Sequence, residues 1–274
     1  MHGSRIQSRD LIEARHFAPS RWQSLAELPR ALLAILSIPA NLARLSSARR
    51  GDGAPVLVIP GFAVTDRSTL ILRTYLTMLG YRVYGWGLGV NLGAKTIGVH
   101  NERLIEVLDT LYAKHQQKVC LIGWSMGGIM ARMISRVSPH KVEKIITLGA
   151  PFAGNPFANT AWRIYERLSG HSLSHPVAQA QIAESKLAPP VPSVSLYSKS
   201  DGVVSWRCCI EPDHPHTSNI EVDSAHCAFG FSPRVIRIVA DQLARRSPKP
   251  VAISSPAASR PPIRIAPATS RGEC

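Results

Sequence analysis

Val119-Cys120-Leu121-Ile122-Gly123-Trp124-Ser125-Met126-Gly127-Gly128 is the stretch on which the reading of the fold turns. Its first four residues are an apolar run without alternation, as a parallel strand buried on both faces requires. The Gly-x-Ser-x-Gly that follows is common enough by chance to mean little alone. Here it comes directly after a buried strand and opens a helical stretch from Gly127 to Val137. A turn sharp enough to lift a serine out of such a junction has no room for Cβ atoms two residues before and after it, and glycine stands at both places. Ser125 is then expected at a helix N-terminus, where backbone N–H groups and the helix dipole favour a developing anion. The bland reading is an ordinary glycine-rich strand-to-helix turn.

The same alternation extends both ways. Strands are expected at Val56 to Ile59, Tyr81 to Gly85, Lys144 to Leu148, Val194 to Tyr197 and Ile220 to Val222. Helices are expected over Ser68 to Leu79, Glu102 to His115 and Pro233 to Leu243. Alternating strands and helices imply a mostly parallel sheet with right-handed crossovers, flanked by helices. The rhythm breaks between Pro151 and Pro192, where helix-like pieces lie around Trp162 to Leu168 and Ala178 to Leu187. An insertion over about 152–192 would lie above the carboxyl ends of the strands, as a helical cap or lid. The loop Gly85 to Gly93 is richer in glycine than a routine turn and is expected to border the cleft. The domain proper is expected over 55–245, after a disordered 1–20 and an amphipathic helix with linker over 21–54, and before a disordered basic Pro/Ser/Ala-rich tail over 246–274.

The chain has 274 residues, 45% of them hydrophobic, and a net charge of +14. The charge is uneven: residues 1–54 hold eight arginines against four acids, and residues 245–274 five arginines and one lysine against one glutamate. A basic nucleic-acid groove would concentrate charge on the folded domain instead, so no nucleic-acid partner is expected. Basic ends suit solvated tails or an anionic lipid surface equally. Leu25, Leu28, Leu32, Leu36, Leu42 and Leu45 recur at spacings of mostly three or four, which predicts one or two helices broken at Pro39. That segment is expected to pack on the domain or lie on a membrane rather than act as a cleaved leader. The expected location is cytoplasmic, with peripheral membrane attachment through this helix left open. No apolar run is long enough to span a bilayer. Five cysteines at irregular spacing match neither a metal site nor a disulfide scaffold.

With these residues in view, the chain resembles the α/β-hydrolase superfamily over roughly 55–245, on its lipase and esterase side, near triacylglycerol lipases and glycosylphosphatidylinositol-deacylase-like esterases. The resemblance is carried by Ile59-Pro60-Gly61-Phe62, Gly123 to Gly128, Leu148-Gly149-Ala150-Pro151, Ser200-Asp201-Gly202-Val203-Val204 and His226. Pro60-Gly61 stands where many lipases carry His-Gly. The superfamily's order is Ser, then Asp or Glu, then His. Asp201 closely follows the strand Val194 to Tyr197 and opens an Asp-Gly turn at the sheet's carboxyl edge, ahead of Asp213, Glu221 and Asp223 as the orienting acid. His226 follows the last strand, whereas His214 and His216 precede it, so His226 is the expected base. The oxyanion donors are then the backbone N–H groups of Met126 and Phe62. Phe62, Trp86, Leu88, Trp124 and Phe152 are expected near strand ends, where they could line an acyl pocket or simply fill the core.

The expected chemistry is acyl transfer from a small-molecule or lipid ester through an acyl-enzyme, with no metal or organic cofactor. An acyltransferase or a thioesterase would use the same triad, and a non-catalytic binding module on this scaffold would normally lack one of its members. Cys227 adjoins His226, and Cys208 and Cys209 closely follow the Asp201 turn. A bridge between these loops is conceivable, but reduced thiols are the expected state.

Overall fold

The runs that are apolar without alternation become the centre of the sheet. A computed structural model describes residues 17–245 except 171; the expectations for 1–16, for the tail from 246 onward and for Cys274 fall outside the described residues. Six strands, β1 (Pro55–Ile59), β2 (Arg82–Gly85), β3 (Val119–Trp124), β4 (Val142–Leu148), β5 (Ser193–Tyr197) and β6 (Thr217–Glu221), form one sheet in the order β2-β1-β3-β4-β5-β6. Every neighbouring pair is parallel, with Val58 beside Ile122, Ile122 beside Ile146 and Ile146 beside Val194. All residues of β1 and β3 are buried.

Alternate side chains supply two cores. Val56, Val58, Ile122, Ile146 and Leu196 meet Leu72 and Leu76 of α3 (Leu70–Met78) and Val235, Ile236 and Val239 of α9 (Pro233–Ala244). Leu57, Ile59, Leu121 and Ile145 face the other way, onto Leu104, Leu108 and Leu111 of α5 (Glu102–His115) and Met130 and Ile134 of α6 (Met126–Val137). The chain runs outward from β1 to β2 and then returns past β1 to β3. That reversal opens a crevice at the carboxyl ends of β1 and β3, and the Gly-x-Ser-x-Gly turn lies there.

Two strands begin earlier than the apolar runs suggest. β6 is an edge strand whose first residues are Thr217, Ser218 and Asn219, polar because that side faces water. β4 contains a buried Lys144 whose Nζ donates to the carbonyls of Gln242 and Arg245 at the end of α9. Between β4 and β5 the helices α7 (Trp162–Ser169) and α8 (Pro176–Ser185) lie in the expected insertion. The insertion's far root is fixed by the buried Arg132 of α6. Arg132 pairs with Glu211, donates to the carbonyls of Ser185 and Leu187 and stacks on the Phe152 ring.

Before the sheet, α1 (Arg21–Leu36) starts with a reciprocal Ser20–Gln23 cap and passes through Pro29, and α2 (Leu42–Ser46) follows a short turn at Pro39. α1 is inverted relative to an ordinary surface helix. Its leucines point outward: Leu25, Leu28, Leu32, Leu33 and Leu36 are exposed, while Glu27 and Ala31 are buried.

Candidate active site

Ser125 joins β3 to α6 with φ 52° and ψ −121°, a conformation that is strained for a residue with a Cβ. The turn is held by Ser125 N–H donating to Leu148 O at 2.8 Å and by Gly128 N–H returning to Ser125 O at 2.9 Å. A Cβ on Gly123 would overlap the Gly127 carbonyl, and one on Gly127 would overlap the Ile59 carbonyl. Both glycines are therefore required by backbone contact, and the strain at Ser125 is imposed by strands packed on either side.

The candidate acid and the candidate base come from two loops at the far half of the sheet. Asp201 follows β5 and His226 follows β6, and both are buried. His226 Nδ1 lies 2.7 Å from Asp201 Oδ2. The other Asp201 oxygen, Oδ1, accepts the N–H groups of Val203 at 2.8 Å and Val204 at 2.7 Å, which fixes the carboxylate's plane. Burial opposes charge on the imidazole. The adjacent Asp201 carboxylate, their hydrogen bond and the charge of Glu27 outweigh burial and raise the His226 pKa above its ordinary value. A Cβ on Gly149, just after β4, would stand 3.2 Å from His226 Nδ1, so the imidazole lies over the end of the strand whose Leu148 carbonyl holds Ser125. The other acids stand apart. Glu221 pairs with Lys199 and Asp223 with Arg30, both toward solvent, and Asp213 is exposed in the loop before β6. His214 and His216 pack on each other in that loop.

Gly61 lies against Ser125, and the loop around it is braced by Asn91, a fully buried residue that sequence reading passed over. Asn91 Nδ2 donates to Pro60 O at 2.8 Å, its carbonyl accepts Ala63 N–H at 2.7 Å, and its N–H donates to Val64 O at 3.0 Å. This gives the Gly85 to Gly93 loop a function: its last turn shapes the segment that carries Phe62.

Phe62, Ser125 and Met126 share a cavity of about 190 Å³. Its walls include Met133 of α6, Tyr165 of α7, Ile182 of α8, and Val203 and Val204 after the Asp201 turn. Tyr165 meets the Phe62 ring edge-on at 5.2 Å, which brings the insertion directly over the serine. Of the five residues expected near strand ends, Phe62 lines this cavity and the other four lie elsewhere. Trp86, just after β2, is fully buried among Leu57, Ile97 and Leu104, with its Nε1 donating to Gly89 O. Phe152 packs beneath Arg132, and Trp124 packs in the opposite core near His226. Leu88 lines a separate shallow surface groove beside Arg103 and Glu106. Strand-end position alone did not distinguish the side facing the cavity. Tyr165 and Ile182 belong to the insertion, whose helices had been located but not oriented.

Cys120, Cys208, Cys209 and Cys227 are free thiols, so neither Cys208 nor Cys209 bridges to Cys227. Cys208 and Cys209 are turned to the carbonyls of Asn155 and Ser205. Among the described residues no group of three or more His, Cys, Asp or Glu side chains is disposed to hold a metal ion.

The geometry agrees with what the chain is similar to. Residues 99–205, from α5 through the Asp201 turn, match the PGAP1-like alpha/beta domain family. A triacylglycerol lipase of Burkholderia plantarii is 30% identical over 159 residues, 55% of this chain and 43% of that protein. One of Pseudarthrobacter phenanthrenivorans is 31% identical over 112 residues, 38% of this chain and 35% of that protein. The chain thus spans less than half the length of these relatives. Lipase B of Aspergillus fumigatus superposes with a TM-score of 0.55 at 18% identity, over 73% of this chain and 55% of its own. By sheet order, by elbow and by this superposition, the chain has the α/β-hydrolase fold.

Proposed function

We propose that this α/β-hydrolase is a serine carboxylic-ester hydrolase that cleaves esters with an apolar acyl chain, through a Ser125–His226–Asp201 triad. The observation that carries the reading is a serine on a strained elbow, opening into an apolar cavity, with a hydrogen-bonded His–Asp pair over the adjacent strand end. Ser125 Oγ attacks the ester carbonyl carbon, and His226 takes the hydroxyl proton through Nε2. The carbonyl oxygen becomes an oxyanion held by the N–H groups of Met126 and Phe62. Collapse expels the alcohol, protonated by His226. Water, deprotonated by the same imidazole, then releases the acid and restores the serine. Asp201 fixes the tautomer with Nδ1 protonated and Nε2 free to accept.

The acyl chain would run between Met133, Tyr165 and Ile182. A series of p-nitrophenyl acetate, butyrate, octanoate and palmitate tests this. Each buried methylene is worth about 0.8 kcal/mol, so burying only two of the six that octanoate adds to acetate should raise kcat/KM roughly tenfold, and burying all six about 10³-fold. A flat profile, or one that is highest at acetate, would remove the apolar acyl chain from the proposal.

The outward leucine face of α1 supports a lipid surface as the place of action. Trp22 is 82% exposed and Leu28 75%, with Leu25, Leu32, Leu33 and Leu36 beside them, and exposed Arg21, Arg44, Arg49 and Arg50 flank the face in sequence. Among the described residues no single helix is long and apolar enough to cross a membrane. The bent pair of α1 with 39–46 passes by length and composition. However, α1 is tied to the domain by buried Glu27 and by Arg30, which favours lying on the surface over crossing. The leucines would enter the interface while arginines meet anionic headgroups. Leu25→Asp with Leu32→Asp should weaken co-sedimentation with phosphatidylglycerol vesicles by about 100-fold, since burying one leucine contributes about 1.5–3 kcal/mol. Equal binding by this variant and the unmodified chain would exclude the helix as the contact.

A further inference from the structure

α1 lies outside the strand–helix repeat of the sheet, yet it touches both loops of the acid–base pair. We propose that Glu27 is a positioning residue of the catalytic site, holding the acid loop and the base loop in one frame. The proposal rests on the assignment of Asp201 and His226 made above. Glu27 is 4% exposed. Its Oε1 accepts Gly202 N–H at 2.7 Å and His226 N–H at 2.9 Å, and its Oε2 accepts Cys227 N–H at 2.9 Å. Three backbone donors from two loops thus converge on one carboxylate, which makes no ion pair among the described residues. A buried carboxylate is costly unless such donors replace its water. Apolar packing alone would not select it, since an aliphatic side chain would cover the same loops without that cost.

The rest of the polar edge of α1 repeats the grip. Ser24 Oγ donates to Gly202 O at 2.7 Å, and Gln23 Nε2 to Lys199 O at 2.9 Å. Arg30 donates to Ser200 O at 2.5 Å and to Asp223 Oδ1 at 2.8 Å. The Gln23 backbone fills the space that a Cβ on Gly202 would need. Gly202 adjoins the acid, and the His226 N–H belongs to the base itself. One carboxylate therefore sets the spacing of the two backbones between which the 2.7 Å Asp201–His226 bond forms.

Glu27 also acts by charge. When Ser125 gives up its proton, a cation appears on His226, and Glu27 is a second carboxylate that favours it. The other charged or titratable groups around this cluster are Asp201 after β5, Asp223 and Cys227 in the loop after β6, Arg30 one turn along α1, and Cys209 behind Asp201. Cys227 and Cys209 stay as thiols: burial and then Glu27 push Cys227 up to about 11, and burial raises Cys209 well above its ordinary value. Arg30 is already shared between Ser200 and Asp223.

The test is Glu27→Gln in the full chain, with p-nitrophenyl butyrate as substrate and the unmodified chain and Ser125→Ala alongside. The amide keeps the volume but loses the charge and turns one donor toward a backbone N–H. Turnover should fall roughly 10- to 100-fold with KM nearly unchanged, as for a displaced catalytic geometry. The acidic limb of kcat/KM should move to lower pH, a change that mere loosening of the fold would not produce. Glu27→Asp keeps the charge but not the reach, so it should restore the pH limb and leave turnover low. A folded Glu27→Gln with the turnover and pH limb of the unmodified chain would overturn the proposal. So would loss of folded protein in both variants, which would make Glu27 a stability contact only. Failure of the hydrolase reading looks different: the unmodified chain would then show no Ser125-dependent hydrolysis at all.

Discussion

Ser125→Ala should abolish covalent labelling by a fluorophosphonate probe and lower ester hydrolysis by about 10⁴-fold or more. The size follows from the chemistry: without Oγ no acyl-enzyme forms, and the His226–Asp201 pair has nothing to deprotonate except water. The remaining rate is what the oxyanion donors and the cavity achieve on their own. The protein should stay folded. Alanine keeps the Cβ that already lies beside Gly61, and the positive φ is imposed by the packed backbone around the turn, for which Gly123 and Gly127 leave room, rather than by the serine hydroxyl. The thermal midpoint should therefore move little, and relief of a polar group at a strained turn could even raise it. Intact-mass detection of the probe adduct separates this from non-specific hydrolysis. A folded Ser125→Ala that hydrolyses p-nitrophenyl butyrate at the unmodified rate would refute the nucleophile.

The elbow was legible because its constraint is local and steric. Two glycines flank a serine after a run such as Val119 to Ile122, and only a close-packed backbone demands both. The central strands were legible for a related reason: burial on both faces erases alternation. Where a strand lies at an edge, as Thr217 to Asn219 do, its residues read as loop. The pocket was legible only at Phe62, because a side chain's direction at a strand end depends on which way the loop leaves the sheet. Trp86 turns into the core, while Phe62, three residues past the end of β1, turns onto the cavity because Asn91 bends its loop. Glu27 was hidden by the leucines around it. Their spacing marks an apolar face, and the usual inference is that this face goes inward. Here the opposite edge is buried: Ala31 packs on Ala225 and Ala228, while Glu27 and Ser24 answer the N–H groups and the carbonyl that the same loops present. An acid placed opposite the leucine stripe was the available signal, but its partners lie some 175 to 200 residues away in sequence.

Asp201→Asn should lower turnover by about 10³- to 10⁴-fold, and His226→Ala by at least as much. The asparagine argument comes from the hydrogen bonds. Oδ1 of Asp201 is committed to the N–H groups of Val203 and Val204, two donors that only an oxygen can satisfy. The amide oxygen must take that position, which leaves the NH₂ facing His226 Nδ1. Nδ1 then becomes an acceptor, the ring proton moves to Nε2, and the nitrogen that should accept the Ser125 proton is blocked. The mutant is thus defective by tautomer, with its geometry intact. The pH dependence follows with a definite sign. The base works only when neutral, and the His226 pKa is raised, so kcat/KM of the unmodified chain should fall as pH drops through a value above the ordinary imidazole range. Without the Asp201 charge, the residual activity of Asp201→Asn should keep its acidic limb at lower pH. The losses should not add: Ser125→Ala combined with His226→Ala should be no slower than Ser125→Ala alone, because the residues act as one unit. Steady-state profiles from pH 5 to about 9 on the unmodified chain and Asp201→Asn, and rates of the double variant beside its single parents, check these statements. Full activity in Asp201→Asn would displace the acid from this position, and an unmoved acidic limb would remove Asp201 as the group that sets the base's pKa.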